Sequence, residues 1–259
     1  VSLSFVMDHG DPGFDGHSVT VSSDSMGTLK FAGEGGSSSA SAIDGAAAGD
    51  MWDNFNSNGG TTVKDSGPGD NSIMYTLPAL VDGLSANLSY NPQISSGKTD
   101  EVQAATSTGN GSEIGYGVTY TGVEGLSVSY GVTDLDRRGS TATASNVAKG
   151  DQTAWKASYA YGSITVAASN SEYDVTGTAD DQELSSMKLS YTVSDAISIG
   201  YGTEEISVPG SVDAEFEGFS ASYTAGGMTL SANMQDGTNV GNSTADGVEY
   251  WGLGLAFAF

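Results

Sequence analysis

The 259-residue sequence has no cysteine, five prolines, two histidines and only eight lysines and arginines together. Each shortage removes a class of protein. Without cysteine there are neither disulfides nor thiolate metal sites. Eight basic residues against 32 acidic ones leave a formal charge of −24, which excludes nucleic-acid binding, because neutralising phosphates takes clustered lysine and arginine. A field of that sign attracts small cations instead. His9 and His17 are the only histidines; no Ser-His-Asp arrangement or nucleophile elbow accompanies them, so the chain does not read as an enzyme. No run approaches the ~18 apolar residues of a membrane-spanning helix. The sequence begins at Val1 without a visible signal peptide, as expected if a leader has been removed or if it starts inside a longer protein.

What is present is alternation. In the final stretch Trp251, Leu253, Leu255, Phe257 and Phe259 fall on one parity, with Gly252, Gly254, Ala256 and Ala258 between them. This is a β-strand with one apolar face and one small-residue face. The same one-sided pattern runs through Leu3, Phe5 and Met7, then Val19 and Val21, then Leu29 and Phe31, and after a break from Ile73 to the end. Return strands start at Leu84, Leu126, Ile164, Ile197 and Met228, each after a tight turn, while the connections at the other end are long and rich in Asp, Gly, Ser and Thr. Fourteen strands can be counted. With almost no helix available to cover the apolar faces, the covering material is lipid, and a sheet in lipid must close on itself. Short turns on one rim and long loops on the other are the asymmetry of an outer-membrane barrel, and the mean hydropathy of −0.19 is what alternating lipid-facing and lumen-facing residues average to. A soluble sandwich or secreted solenoid also alternates, but neither normally combines one-sided hairpins, a long internal loop and a terminal Phe. The whole chain, residues 1–259, therefore reads as a single all-β domain, a transmembrane antiparallel barrel.

The break covers Glu34 to Asp70. It is rich in Gly, Ser, Asn and Asp, and loops this long are usually functional or disordered. Within it, Ala42 to Phe55 is expected to form a short helical turn, with Ile43, Met51, Trp52 and Phe55 available to pack it against the rest.

The terminal Trp-Gly-Leu-Gly-Leu-Ala-Phe-Ala-Phe and the long loop after Gly-Thr-Leu-Lys-Phe together resemble the general-diffusion porins of Gram-negative bacteria, the alphaproteobacterial type above all. The resemblance covers essentially the whole chain and rests mainly on the order of elements. It implies a trimeric channel in the Gram-negative outer membrane, in contact with lipid and lipopolysaccharide, that passes small hydrophilic solutes. It also implies that the loop folds into the lumen and that the terminal aromatic strand, with Trp251, Phe257 and Phe259, is the membrane-insertion signal. Family members usually have sixteen strands, and their constricting loop follows the fifth; here it follows the third. The expectation is that an N-terminal hairpin is absent from the sequence, with a true fourteen-stranded barrel as the alternative.

On this resemblance the loop acids Glu34, Asp44, Asp50, Asp53, Asp65 and Asp70, opposed within the loop by Lys64 alone, form an acidic constriction that favours cations. Lys30, Lys156 and Lys188 lie on the polar parity of their strands and are candidates for a facing basic wall. Arg137 and Arg138 are expected in an external loop, as a salt bridge or a contact to lipopolysaccharide phosphates. The function requires no cofactor. Ca2+ is a weak candidate ligand, at Asp50 and Asp53 or at Asp8, Asp11 and Asp15, because acids with Gly supply oxygen donors. The outward small residues Ala86, Ala157 and Ala168 would permit subunit packing. A structural or adhesive barrel with a plugged lumen and a substrate-specific channel remain as alternatives. The first would need bulky or tightly paired lumen residues, the second an aromatic or arginine track.

Overall fold

A computed structural model describes residues 1–6, 15–43, 45–58, 62–66, 69–94, 111–138, 147–175, 181–244 and 247–258. Fourteen strands form one antiparallel sheet in sequence order: β1 Ser2–Val6, β2 Asp15–Ser23, β3 Gly27–Gly36, β4 Gly69–Thr76, β5 Leu84–Ile94, β6 Gly111–Tyr120 and β7 Leu126–Arg138, then β8 Val147–Tyr161, β9 Ile164–Val175, β10 Gln182–Ser194, β11 Ile197–Ser207, β12 Ala214–Ala225, β13 Met228–Thr238 and β14 Val248–Phe257. Every strand pairs with its sequence neighbour, so the sheet is a pure meander. Among the described residues β1 and β14 each have a single ladder partner.

The tight-turn rim is continuous. Each turn is bonded to the strand beyond it, as Thr121 N to Gly83 O at 2.7 Å, Ala160 N to Gly125 O at 2.8 Å and Ala258 N to Gly227 O at 2.7 Å. Gly125 shows why glycine is needed there. Its φ is +77° and an added Cβ would stand 2.2 Å from the carbonyl oxygen of Ala160, so both the left-handed backbone and the approach of the next strand exclude a side chain.

Parity sorts the two faces. Leu88, Tyr116, Tyr130, Trp155, Leu189, Ile199, Phe219 and Leu253 all lie on one face and are exposed, the arrangement lipid requires. On the same parity, toward the long-loop rim, the apolar residues give way to exposed acids: Asp134, Asp151, Glu172, Asp174, Glu183, Glu205, Glu215, Glu217, Asp236 and Glu249. Register sets many of them directly opposite one another, as in Asp134–Asp151–Asp174, Glu172–Glu183, Glu205–Glu215 and Glu217–Asp236–Glu249. Carboxylates are disfavoured on a lipid face, so this belt marks the outer limit of the apolar band. Tyr201 joins the two zones: its ring packs on Phe219 with centroids 4.8 Å apart, and its hydroxyl donates to Glu217 Oε2 at 2.5 Å.

Two boundaries differ from the sequence reading. Arg137 and Arg138 belong to β7, opposite Ala148 and Val147, and not to a loop. The long break is shorter than Glu34 to Asp70, because Glu34 and Asp70 face each other in the β3–β4 ladder. The strands outlast the hydrophobic pattern because ladder hydrogen bonds continue past the membrane-facing residues.

Candidate functional site

The segment between β3 and β4 runs along the inner face of the sheet. Its backbone N–H groups are taken one after another by inward side chains of successive strands. Ser39 N donates to Ser89 Oγ on β5 at 2.8 Å, and Ala40 N to Thr133 Oγ1 on β7 at 3.1 Å. Ala47 N donates to Ser169 Oγ on β9 at 2.8 Å, and Ala48 N to Ser186 Oγ on β10 at 2.9 Å. Trp52 N then reaches Glu204 Oε2 on β11 at 3.2 Å, and Asn54 Nδ2 reaches Gln235 Oε1 on β13 at 2.9 Å. On the way back Lys64 N donates to Gln182 Oε1 at 2.7 Å and Ser66 N to Gln152 Oε1 at 2.6 Å. A buried Ser38–Ser66 hydroxyl contact at 2.5 Å closes the excursion near its start. Strands β5 and β13 are eight spacings apart, roughly 38 Å along a flat sheet. The segment makes that crossing while folded into turns at Ala40–Ile43 and Ala46–Gly49 and into the start of a 3-10 helix, which fits a sheet that curls around it, with the apolar face outside a barrel and the loop in its lumen.

The wall is shaped to receive the loop. A Cβ on Gly131 would lie 2.6 Å from Ser39 O, on Gly202 2.7 Å from Ala48 Cβ, on Gly218 3.1 Å from Met51 Sδ and on Gly237 3.1 Å from Phe55 Cε1. One glycine on each of β7, β11, β12 and β13 therefore lets the loop lie flat.

At its far end the loop forms a 3-10 helix, Met51–Asn58, whose apolar side is driven against the wall. Met51, Phe55, Leu184, Ile206, Phe216 and Val240 are buried together, with Phe55 5.3 Å from Phe216 and 6.2 Å from Tyr250 between ring centroids. Leu184, Ile206 and Phe216 point inward, opposite to the membrane-facing residues of their own strands. These three residues are not singled out by the sequence pattern. The missed signal is the alternation with acids at Glu183-Leu184, Glu205-Ile206 and Glu215-Phe216-Glu217, where the apolar residue has changed parity. Glu204, 2% exposed, is the ionisable anchor in this row of neutral ones, and its Oε1 has no hydrogen-bond partner.

The expected site residues separate into groups. Asp53 and Asp65 are exposed on the loop, and Asp50, half-buried with φ +53°, accepts the Ala46 N–H at 2.8 Å. Asp44 and Phe259 lie outside the described residues, as do Asp8 and Asp11; of Glu34 and Asp70 the backbone position at the loop's base is described. Lys156 and Lys188 point inward, but toward the loop itself: Lys156 Nζ donates to Gly45 O at 2.9 Å and Lys188 Nζ to Ala48 O at 3.4 Å. Lys30 lies on β3, opposite Thr20 and Met74. Trp251 and Phe257 face outward on β14 at 77% and 57% exposure. Among the described residues no three acidic, His or Cys side chains converge on a metal position.

A profile of the Gram-negative porin family matches residues 2–224. Among solved structures, a porin refined at 1.8 Å resolution superposes with a TM-score of 0.64 at 19% identity, covering 94% of this chain and 81% of that one. A substituted form of the Rh. blastica porin gives 0.59 at 17% identity, with 99% and 83% covered. The anion-selective porin from Comamonas acidovorans gives 0.58 at 18% identity, with 88% and 69% covered. No curated protein sequence matches. At these identities the likeness is one of fold, whereas the profile spans most of the chain. A barrel with a lipid-facing exterior, a loop folded into its lumen and a family profile over most of its length lead to one conclusion: the chain belongs to the Gram-negative porin family, as a non-enzymatic channel protein of the outer membrane.

Proposed function

We propose that the channel passes small hydrophilic solutes and ions by passive diffusion, prefers cations, and works as a homotrimer. The observation that carries the reading is the loop laid against the inner wall from β5 to β13. The hydrogen bonds that seat it fall on β5 to β13, and on this reading the passage runs between the loop and the wall of β1 to β4. On the loop side Asp53 and Asp65 are exposed; on the open wall stands Lys30. Carboxylates at a narrow aqueous passage lower the energy of cations and raise that of anions. Lys156 and Lys188, engaged with loop carbonyls, work first as struts under the loop. Trimer formation would use the outward surface, where Ala86, Ala157 and Ala168 allow close approach.

The test is the reversal potential of the purified protein in a planar bilayer under a KCl gradient. Cation preference is expected, reduced in Asp53→Asn and Asp65→Asn and increased in Lys30→Met. A wild-type channel that prefers chloride would overturn the acidic constriction. One observation favours a second reading, a plugged anchor: the apolar cluster of Phe55, Phe216 and Ile206 lies inside the barrel. Correctly folded protein with no conductance would select it.

A further inference from the structure

Beside the loop, the inner wall of β10 to β14 is hollowed into a recess of about 510 Å³ open to the lumen. That size falls within the roughly 300–1,000 Å³ of small-molecule sites. Three glycines shape its wall. A Cβ on Gly200 would stand 2.9 Å from Ser220 Oγ, on Gly252 2.3 Å from Asn233 Oδ1 and on Gly254 2.6 Å from Ser231 Oγ. Each glycine thus gives up its volume so that a polar side chain from a neighbouring strand lies across it. Barrel curvature alone would not require a hydroxyl or amide over every one of them.

The recess carries one cation. Lys188 sits at the edge where the wall meets the loop, and its ammonium makes a single long hydrogen bond, 3.4 Å to Ala48 O. Among the described residues it has no carboxylate partner, in a chain with 32 acids. An ammonium has three donors, so two remain to face the recess. Around it are Ser190, Ser220, Ser231, Asn233 and the Tyr250 hydroxyl, groups that both donate and accept.

We propose that this recess is a solute-binding subsite for compact polyhydroxylated carboxylates, the sugar-acid class. The carboxylate meets the Lys188 ammonium and the hydroxyls exchange hydrogen bonds with the serine and asparagine side chains. Charge-assisted hydrogen bonds are roughly twice as strong as neutral ones, so the carboxylate is the anchoring group. The acidic exterior does not prevent this. At 0.1 M salt a distant charge is screened over about 10 Å, whereas the ammonium acts in contact.

This subsite rests on the open-channel reading, and one experiment separates the two. Ion current through the full-length protein in a planar bilayer is recorded in 0.1 M KCl with added gluconate, sorbitol or acetate, each expressed as a fraction of that variant's own unblocked current. Gluconate is expected to reduce the current saturably, with sorbitol and acetate at least tenfold weaker. Lys188→Met is expected to raise the half-blocking gluconate concentration about tenfold or more, and Gly254→Ala, which displaces Ser231, to raise it for gluconate and sorbitol alike. Block that does not saturate, that acetate reproduces, or that survives both substitutions overturns the subsite. Absence of any current in the wild type overturns the channel reading instead.

Discussion

Replacing Phe55 with alanine separates the loop from the barrel that holds it. Phe55 is fully buried, at 0% exposure, with Phe216 and Tyr250 as aromatic neighbours. Truncating such a residue typically removes about 3–5 kcal/mol. The 3-10 helix is also tied to the wall by Trp52 N to Glu204 and Asn54 to Gln235, and Glu204 accepts from the Asp50 and Met51 backbone as well. Hydrogen bonds of these kinds contribute about 0.5–3 kcal/mol each. The apolar cluster is therefore a main anchor of this end, while Ser39 to Ala48 keep their own bonds to β5, β7, β9 and β10. The strand ladders lose nothing. The expected result is a channel whose open current is larger and noisier than wild type, in a barrel whose thermal unfolding midpoint, followed by circular dichroism in detergent, moves by only a few degrees. The reasoning is refuted if conductance and noise are unchanged while the barrel melts well below wild type. The cluster would then support the wall and not the loop.

Three further expectations follow from other parts of the barrel. The acidic belt sets like charges directly opposite one another, which destabilises cross-strand pairs. Thermal stability should therefore rise as ionic strength increases from 0.01 to 0.5 M, over which the screening length shrinks several-fold, and Glu205→Gln should raise the low-salt midpoint; a flat salt dependence would contradict this. Gly202→Val puts a branched side chain where Ala48 Cβ already lies within 2.7 Å of a modest Cβ, so it should unseat the middle of the loop and raise conductance, and an unaltered conductance would mean that the glycine seat is not used. Gly125→Ala should lower folding yield or stability by more than about 1 kcal/mol, because the native φ is positive, measured as the refolded fraction; wild-type yield would show that the turn relaxes without loss.

The barrel was legible because lipid imposes its demand on each strand separately. Every second residue must be apolar, and a tight turn must follow, so strands such as Ile164–Ala168 or Leu253–Phe257 announce themselves without reference to their partners. The seat of the loop has no such local signature. Gly131, Gly202, Gly218 and Gly237 lie on four strands, and they form a track only once the register aligns them. The parity of Lys156 and Lys188 was readable, but their acceptors, Gly45 O and Ala48 O, are backbone atoms of a distant segment that no side-chain pattern identifies. Leu184, Ile206 and Phe216 are not singled out by the sequence pattern, for a different reason. Their strands extend beyond the lipid, and past that boundary the apolar parity reverses to meet Met51 and Phe55.

That reversal explains how one strand serves two solvents. In the membrane, the outside of β12 carries Phe219 and Tyr223 and its inside carries Gly218 and Ser220. Two residues higher, the outside carries Glu215 and Glu217 and the inside carries Phe216. The apolar side chain moves inward at the height where the outside becomes aqueous, because burial against the loop is then the only apolar environment within reach. A loop fastened this way is held on the β5 to β9 side by hydrogen bonds and on the β10 to β14 side by hydrogen bonds and packing together. On the proposed reading the free passage lies toward the wall that carries Lys30. Selectivity should then respond more strongly to charge on that wall and on the exposed loop acids than to Lys156 or Lys188, although all three lysines share the same parity.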